Sequence, residues 1–451
     1  MQRTTLGLLL TSLVACFEAR AQQLAHDARS LPLPDAVAPL VARSQPAVEP
    51  DGNDDHEELG EGSLPATLTA RSLGRAPGGL HRICDLTVFR EALYVAASNQ
   101  PLGSDGAVIA RYQPGSSRTG WSTAFDWNRP GQPTRGGGGG QGFLRVRAIG
   151  DRLYVPDSDP PYNGFGISEG GTEGFVFVSD AEGRFAAARG PNLRPPAAPN
   201  AQGYFGAGVL PRAYHVLDVI RFRGGVYAST GSVPPGERAW NGPSPGALHR
   251  ADERGRRWTY TVDYPFPWQN GVWRLTYMTR FRGRLYAGIQ DYDGREPNDY
   301  VVISPPAGTS ELAREHVAGY RVSDHGAALT LRWYTDRGRL FWLTIERTGA
   351  TPLRFTEDGQ RWRAVSFPAS AGRVSDVVRF RDALVALTEG GLYRLSDPPD
   401  AAAPTLIAAA PQFNRGRAFP VNDAFCSSPL TVFQNKLYAG SQHDATLFVF
   451  E

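Results

Sequence analysis

Apolar and polar residues alternate with a period of two over short runs along most of this chain, and nothing sustains the 3.6-residue period of a long helix. The runs recur as a unit: a strand ending in Phe-Arg or a variant of it, a tight turn, then Leu-Tyr-Val or Leu-Tyr-Ala. Its copies read LTVFREALYVA, LRVRAIGDRLYVP, DVIRFRGGVYAS, LTYMTRFRGRLYAG, LTLRWYTDRGRLFWL, DVVRFRDALVAL and LTVFQNKLYAG. The aligned apolar residue falls at Leu93, Leu153, Val226, Leu285, Leu340, Leu384 and Leu437. The intervals, 60, 73, 59, 55, 44 and 53 residues, lie near or above the roughly 40 to 50 residues of a four-stranded propeller blade. Extra length therefore belongs to loops.

Each unit continues with a third apolar run (GAVIARY, GFVFVSD, GALHRAD, DYVVISP, TPLRFTE, GLYRLSD, ATLFVFE) and usually a fourth (WSTAFDW, WTYTVDY, WRAVSFP, TLIAAAP). The expected fold is all-β, a seven-bladed β-propeller of four-stranded blades occupying residues 63–451. The last unit stops after its third strand, leaving an edge that a ring cannot tolerate without risk of aggregation. The segment ATLTARS, Ala66 to Ser72, has nothing local to pair with. It is expected to pair with the C-terminal blade as its outer strand and so close the ring. Phe89, Phe222, Phe281, Phe380 and Phe433 share one register, four residues before the aligned position, and read as packing between units.

Cys84 precedes LTVF in the first unit and Cys426 precedes LTVF in the last. Ring closure makes those units neighbours, so the two cysteines are expected to form a disulfide; the alternative is a pair of buried thiols.

The turns SDAEGRF from Ser179, ADERGRRW from Ala251 and TEDGQRW from Thr356 resemble the Asp-box of bacterial sialidase-like propellers, which runs Ser/Thr-x-Asp-x-Gly-x-x-aromatic. None matches strictly. In the first the Asp follows the Ser directly; in the others the Asp-to-Gly spacing is one longer or one shorter. The resemblance implies structural turns in which Asp180, Asp252 and Asp358 bond their own backbone while Trp258 and Trp362 pack beneath. A sialidase-type active site, with its arginine triad, Tyr nucleophile paired with Glu, and acid/base Asp, is not identifiable, and the family's early F/Y-R-I-P motif is absent.

In a propeller, loops from second to third strands and from one blade to the next emerge on one face, and here these include the long ones: SDPPYNGFGISEGGTEG, GSVPPGERAWNGPSPG, QDYDGREPND, GGGGGQGF, APNAQGYFGAG and DYPFPWQNGVW. Function concentrates on loops held by a rigid scaffold. Tyr162, Phe165, Tyr204, Phe205, Trp240, Trp268 and Trp273 lie in these segments among Gly, Asn and Asp, a composition suited to stacking on sugar rings or a peptide. Packing of the loops onto one another is the competing reading. At the starts of the innermost strands stand Asp85, Arg145, His215, Asp218, Arg274, His325, Arg373 and Asp376, a charged ring for an anion, a metal or a polar substrate. Asp85, Asp218 and Asp376 share one register, eight residues before the aligned position, which favours a structural role. Asp291, Asp293, Glu296 and Asp299 offer oxygen ligands with a Gly turn, suggesting calcium, but without the full EF-hand pattern. No resident cofactor beyond that structural calcium is expected.

Composition changes the picture in two ways. Of the 47 basic residues one is a lysine, Lys436, against 45 acids, and the arginines are scattered beside acids, with no stripe to track a phosphate backbone. Nucleic acid is therefore not an expected partner. The N-terminus, MQRTTLGLLLTSLVACFEARAQQ, reads as a secretory signal over residues 1–21, its apolar stretch too short to span a bilayer. Ala19-Arg20-Ala21 supplies one processing site; Leu13-Val14-Ala15-Cys16 resembles a lipobox and supplies another. Residues 22–62, rich in Ala, Pro, Asp and Glu, suit a disordered leader or tether. The expectation is an exported, secreted, periplasmic or lipid-anchored monomer that binds a glycan or an envelope protein. A polysaccharide hydrolase or lyase, or a structural subunit of an envelope assembly, are the alternatives.

Overall fold

A computed structural model describes residues 60–98, 107–126, 142–157, 174–185, 208–210, 213, 215–231, 246–253, 255, 257–263, 273–291, 299–309, 311–321, 327–410 and 425–451, all within one compact unit, Val48–Pro265 with Gln269–Glu451. Strand β1 (Ala70–Arg75) precedes the repeats. The first repeat forms β2 (Arg82–Phe89), β3 (Ala92–Ser98), β4 (Val108–Tyr112) and β5 (Trp121–Asp126); the second forms β6 (Arg147–Ile149), β7 (Arg152–Pro156), β8 (Gly174–Val178) and β9 (Gly208–Leu210). Next come β10 (His215–Phe222), β11 (Gly225–Gly231), β12 (Ala247–Ala251) and β13 (Trp258–Asp263), then β14 (Trp273–Phe281), β15 (Arg284–Asp291), β16 (Tyr300–Ile303) and β17 (Val317–Arg321). The fifth and sixth repeats form β18 (Ala327–Asp336), β19 (Arg339–Glu346), β20 (Leu353–Thr356) and β21 (Arg363–Ala364), then β22 (Val374–Phe380), β23 (Ala383–Thr388), β24 (Gly391–Arg394) and β25 (Thr405–Ala409). The last contributes β26 (Leu430–Phe433), β27 (Lys436–Gly440) and β28 (Thr446–Phe450).

The chain is an all-β propeller, but the expectation of seven four-stranded blades is corrected. Five sheets are four-stranded blades, while β10 to β17 form a single eight-stranded sheet. The join is the pairing of Gly231 on β11 with Arg274 on β14. Its cause is local: a Cβ at Gly231 would lie 2.3 Å from the Arg274 side chain, and one at Gly246 would lie 2.4 Å from the Leu275 amide. Glycine at both positions lets two backbones approach to pairing distance, so the third and fourth repeats share one hydrogen-bond network.

The two ends of the chain meet in one sheet, ordered β1-β28-β27-β26. Ala70 pairs with Phe450 and Ser72 with Phe448, while Thr69 and Glu451 exchange backbone hydrogen bonds of 2.9 and 3.1 Å. The strand begins four residues later than the 66–72 segment suggested, because the preceding residues cross onto the sixth repeat. There the Leu68 amide bonds the Ile407 carbonyl at 2.9 Å and the Leu64 amide bonds Asp382 at 2.8 Å. Leu64 and Leu68 are buried in the core of the last three repeats. Cys84 and Cys426 form a disulfide with Cα atoms 4.8 Å apart, joining the first repeat to the segment that enters the last.

The Phe-Arg signature has a physical basis. Phe89, Phe222, Phe281, Phe380 and Phe433 are all buried, and the following residue opens a two-residue hairpin at positive φ: Arg90 54°, Arg223 48°, Arg282 51°, Arg381 57°, Gln434 49°. Each of the four arginines folds back over its phenylalanine, with guanidinium-to-centroid distances of 5.7, 5.6, 5.6 and 4.9 Å. Such a cation-π contact offsets part of the cost of the left-handed backbone. These hairpins mark one end of every sheet, here the turn end; the connections from second to third strands lie at the other, the loop end.

Candidate functional site

Each innermost strand begins at the loop end, and a bulge there turns the Asp register inward: register shifts fall between Ile83 and Asp85, Val216 and Asp218, and Val374 and Asp376. The three carboxylates perform the same task. Asp85 accepts the Val146 amide at 3.0 Å, Asp218 the Met278 amide at 2.8 Å and Asp376 the Leu430 amide at 2.8 Å. Every acceptor thus ties one repeat to the innermost stretch of the next. Asp218 and Asp376 also take the amide of the following residue, Val219 at 2.9 Å and Val377 at 2.8 Å. Buried backbone N–H groups need such partners, so these acids are structural clamps.

Arginines fill the space between them. Arg147 forks onto Asp218 at 2.8 and 3.0 Å. Arg332 crosses from the fifth repeat to the first, donating to Asp85 at 2.6 Å and to the Cys84 carbonyl at 2.7 Å, and its Nε lies 3.5 Å from Asp376. Arg145 stacks on Tyr277 with its guanidinium carbon 3.7 Å from the ring centroid. It reaches Asp85 and the Leu331 carbonyl only at 3.3 Å. Asp85, Arg145, Asp218, Arg332 and Asp376 are all buried, so the centre is occupied by the protein's own charges.

Burial sets the proton affinities. Desolvation raises the Asp85 carboxyl above its ordinary value against the opposing pull of Arg332 and Arg147. Asp376 is pushed up to about 6 by burial, with Arg332 and the Leu430 and Val377 amides opposing. Its folded pKa lies above the unfolded one, so its contribution to stability is full below about pH 4 and is lost as pH rises through about 6. At 1.36 kcal/mol per unit the loss is roughly 3 kcal/mol at most. Melting temperatures of the native protein and Asp376→Asn measured from pH 4 to 7.5 should diverge, the native protein losing more stability as pH rises. Parallel profiles would contradict this assignment.

Nearer the loop end, Arg274 donates to His215 Nε2 at 2.7 Å and lies 3.3 Å from Gln290. A guanidinium only donates, so Nε2 accepts and the ring proton resides on Nδ1. Phe425 sits beside this pair, its ring centroid 5.9 Å from the Arg274 guanidinium carbon and 6.0 Å, edge-on, from Tyr277. The Tyr277 hydroxyl donates to the Phe425 carbonyl. Arg373, expected in the same ring, is bound to Glu389 by its amide and its guanidinium, both at 2.9 Å.

The structure thus gathers Asp85, Arg145, Asp218 and Asp376 into one buried network, with His215 and Arg274 above it. Tyr162, Phe165, Trp240, Trp268, His325, Asp293 and Glu296 lie outside the described residues, as do the side chains of Trp273 and Asp291. Asp299 is buried at the start of β16, and among the described residues no group of three or more His, Cys, Asp or Glu is placed to hold a metal. Arg147, Tyr277, Arg332 and Phe425 were not anticipated. Tyr277 and Arg332 occupy the register of Asp85 in their own repeats, so counting back from the aligned position could have found them. One loop is reassigned: the segment between β8 and β9 is a third-to-fourth-strand connection, and Tyr204 and Phe205 within it lie outside the described residues.

No family model matches the chain, and no curated protein matches its sequence. Among solved structures, a catalytically inactive virginiamycin B lyase from Staphylococcus aureus with quinupristin superposes with a TM-score of 0.48 at 7% identity, covering 85% of this chain and 99% of that one. The polysaccharide lyase Uly1 gives 0.47 at 12% identity, covering 89% and 98%. The WD40 domain of Neurospora crassa Pan2 gives 0.47 at 7%, covering 86% and 96%.

The Asp-box-like turns take the expected shape in part. Asp180 accepts the amides of Glu182 at 3.0 Å and Arg184 at 2.9 Å; Asp358 accepts those of Gln360 at 2.7 Å and Arg361 at 2.8 Å. Trp258 is buried, and Trp362 donates to the Tyr300 hydroxyl at 2.8 Å. These contacts make the turns structural and carry no chemistry.

Proposed function

We propose that this chain is an exported binding propeller that recognises a glycan through the loop end of its second, third and fourth repeats. The observation that carries the reading is the asymmetry of the loop end. The connections from second to third strands run over 157–173 and 232–246 in the second and third repeats but only 389–390 and 441–445 in the last two. The long ones hold Tyr162, Phe165 and Trp240, and the connection into β14 holds Trp268, rings suited to stacking on sugars. The buried clamps leave this rim as the working surface. Export accords with the signal-like N-terminus and with a disulfide, which persists in oxidising compartments.

A glycan array combined with a turnover screen on the mature protein tests the reading. Binding without turnover is expected; binding only to envelope proteins, or turnover, would replace it with one of the alternatives. Trp240→Ala and Trp268→Ala should each weaken the selected glycan by roughly thirtyfold, the effect of losing about 2 kcal/mol at a hot spot, with melting temperature nearly unchanged. Arg381→Ala, at a turn-end hairpin, should leave binding intact. Normal binding by both tryptophan variants would remove the main support for this face.

A further inference from the structure

The charged centre and the residue beside it together suggest a second element of recognition. Around the loop-end side of the centre stand three guanidinium groups, Arg145, Arg274 and Arg332. Their nearby carboxylates, Asp85 and Asp376, also accept amides from the following repeats. Arg145 is the least satisfied of the three. It is 2% exposed, and its two terminal nitrogens make bonds of 3.3 Å, against the 2.6 and 2.7 Å bonds of Arg332. A buried guanidinium held this loosely is suited to a further acceptor.

Phe425 lies against the Tyr277 ring on which Arg145 stacks. It is partly buried, whereas Arg145, Arg274 and Tyr277 are buried. It reaches Tyr277 and Arg274 of the fourth repeat from the segment that enters the last one. It does so at φ 58°, a left-handed conformation costly for a bulky side chain. What holds it there is next in sequence: Cys426, bonded to Cys84, whose carbonyl and neighbouring Asp85 bind Arg332.

We infer that Phe425 is a plug over an anion site formed by Arg145 and Arg274, that the Cys84–Cys426 disulfide latches it, and that the site takes the carboxylate of an acidic sugar. Displacement of the ring opens Arg145 and Arg274 to a planar anion that a guanidinium can bind through paired hydrogen bonds. The inference deepens the glycan reading by naming the ligand's acidic group, and rests on it for the sugar.

The test is a calorimetric or NMR titration of the intact mature protein with free D-glucuronate, and with D-glucose as the neutral control. Phe425→Gly removes the plug and relieves the positive φ, so it retains the fold. It should bind glucuronate at least tenfold more tightly than the native protein and leave glucose unchanged. Arg145→Gln in that background should abolish the gain, and Arg381→Ala, at a turn-end hairpin, should not. Reduction of the native disulfide, at a temperature where its circular dichroism is unaltered, should reproduce the gain. Equal glucuronate affinity in native and Phe425→Gly proteins overturns the plug. A gain for glucose as large as for glucuronate, or one that survives Arg145→Gln, overturns the anion site. A glycan array without hits would fail the earlier reading while leaving this titration decisive.

Discussion

Removal of residues 60–75 is expected to give a protein that aggregates or melts far below full-length protein. The deletion takes away β1, the sole partner of β28 on its outer side, and exposes a strand reading TLFVF. That is an apolar edge without the charge or proline that usually protects one. It also strips Leu64 and Leu68 from the core of the last three repeats, each worth roughly 1.5–3 kcal/mol. The reciprocal Thr69 and Glu451 bonds go with them, as does the Leu73 carbonyl that accepts the Trp121 indole at 2.9 Å. The losses accumulate at the one joint where the chain closes on itself non-covalently. Size-exclusion chromatography and a thermal melt decide the matter; a truncated protein matching the full-length one in both would show that closure does not depend on this segment.

Asp218→Ala should be the most damaging single substitution among the channel acids. Asp218 is fully buried and holds the Arg147 fork together with the Val219 and Met278 amides. Deleting it leaves a buried guanidinium without its carboxylate and strands backbone donors, a loss of about 3–5 kcal/mol and on the order of 10 °C in melting temperature. Replacing both partners, as Arg147→Met with Asp218→Leu, should recover a good part of this, because a buried ion pair is expensive mainly when broken. A cost below about 1 kcal/mol for Asp218→Ala would refute the clamp.

Much of this architecture was legible in the residues, and the parts that were not share a cause. The Phe-Arg hairpins, third strands such as GFVFVSD and the pairing of the two cysteines follow from local patterning and from the neighbourhood that closure creates. The merging of β10–β17 was hidden because it depends on how closely Gly231 and Gly246 let β14 approach, a distance no period encodes. Strands β9 and β17 were missed: one is three residues, GVL, and the other, VAGYR, alternates weakly. Within the centre, the shared register of Asp85, Asp218 and Asp376 pointed to structure, and their amide bonds show why. The cross-centre reach of Arg332 to Asp85, spanning 247 residues of sequence, could not be read from either neighbourhood alone. Phe425 carries no motif; its place is set by the disulfide beside it.

The proposed working surface is the loop end, while the carboxylate clamps of Asp85, Asp218 and Asp376 and the turn-end hairpins serve the scaffold. Hydrogen–deuterium exchange of the mature protein, with and without an oligosaccharide selected on the array, tests this directly. Protection on binding is predicted in peptides covering 157–173, 232–246 and 264–272, with hairpins 89–92, 222–225 and 380–383 unchanged. Protection centred on those hairpins, with the three loop-end segments unaffected, would contradict it.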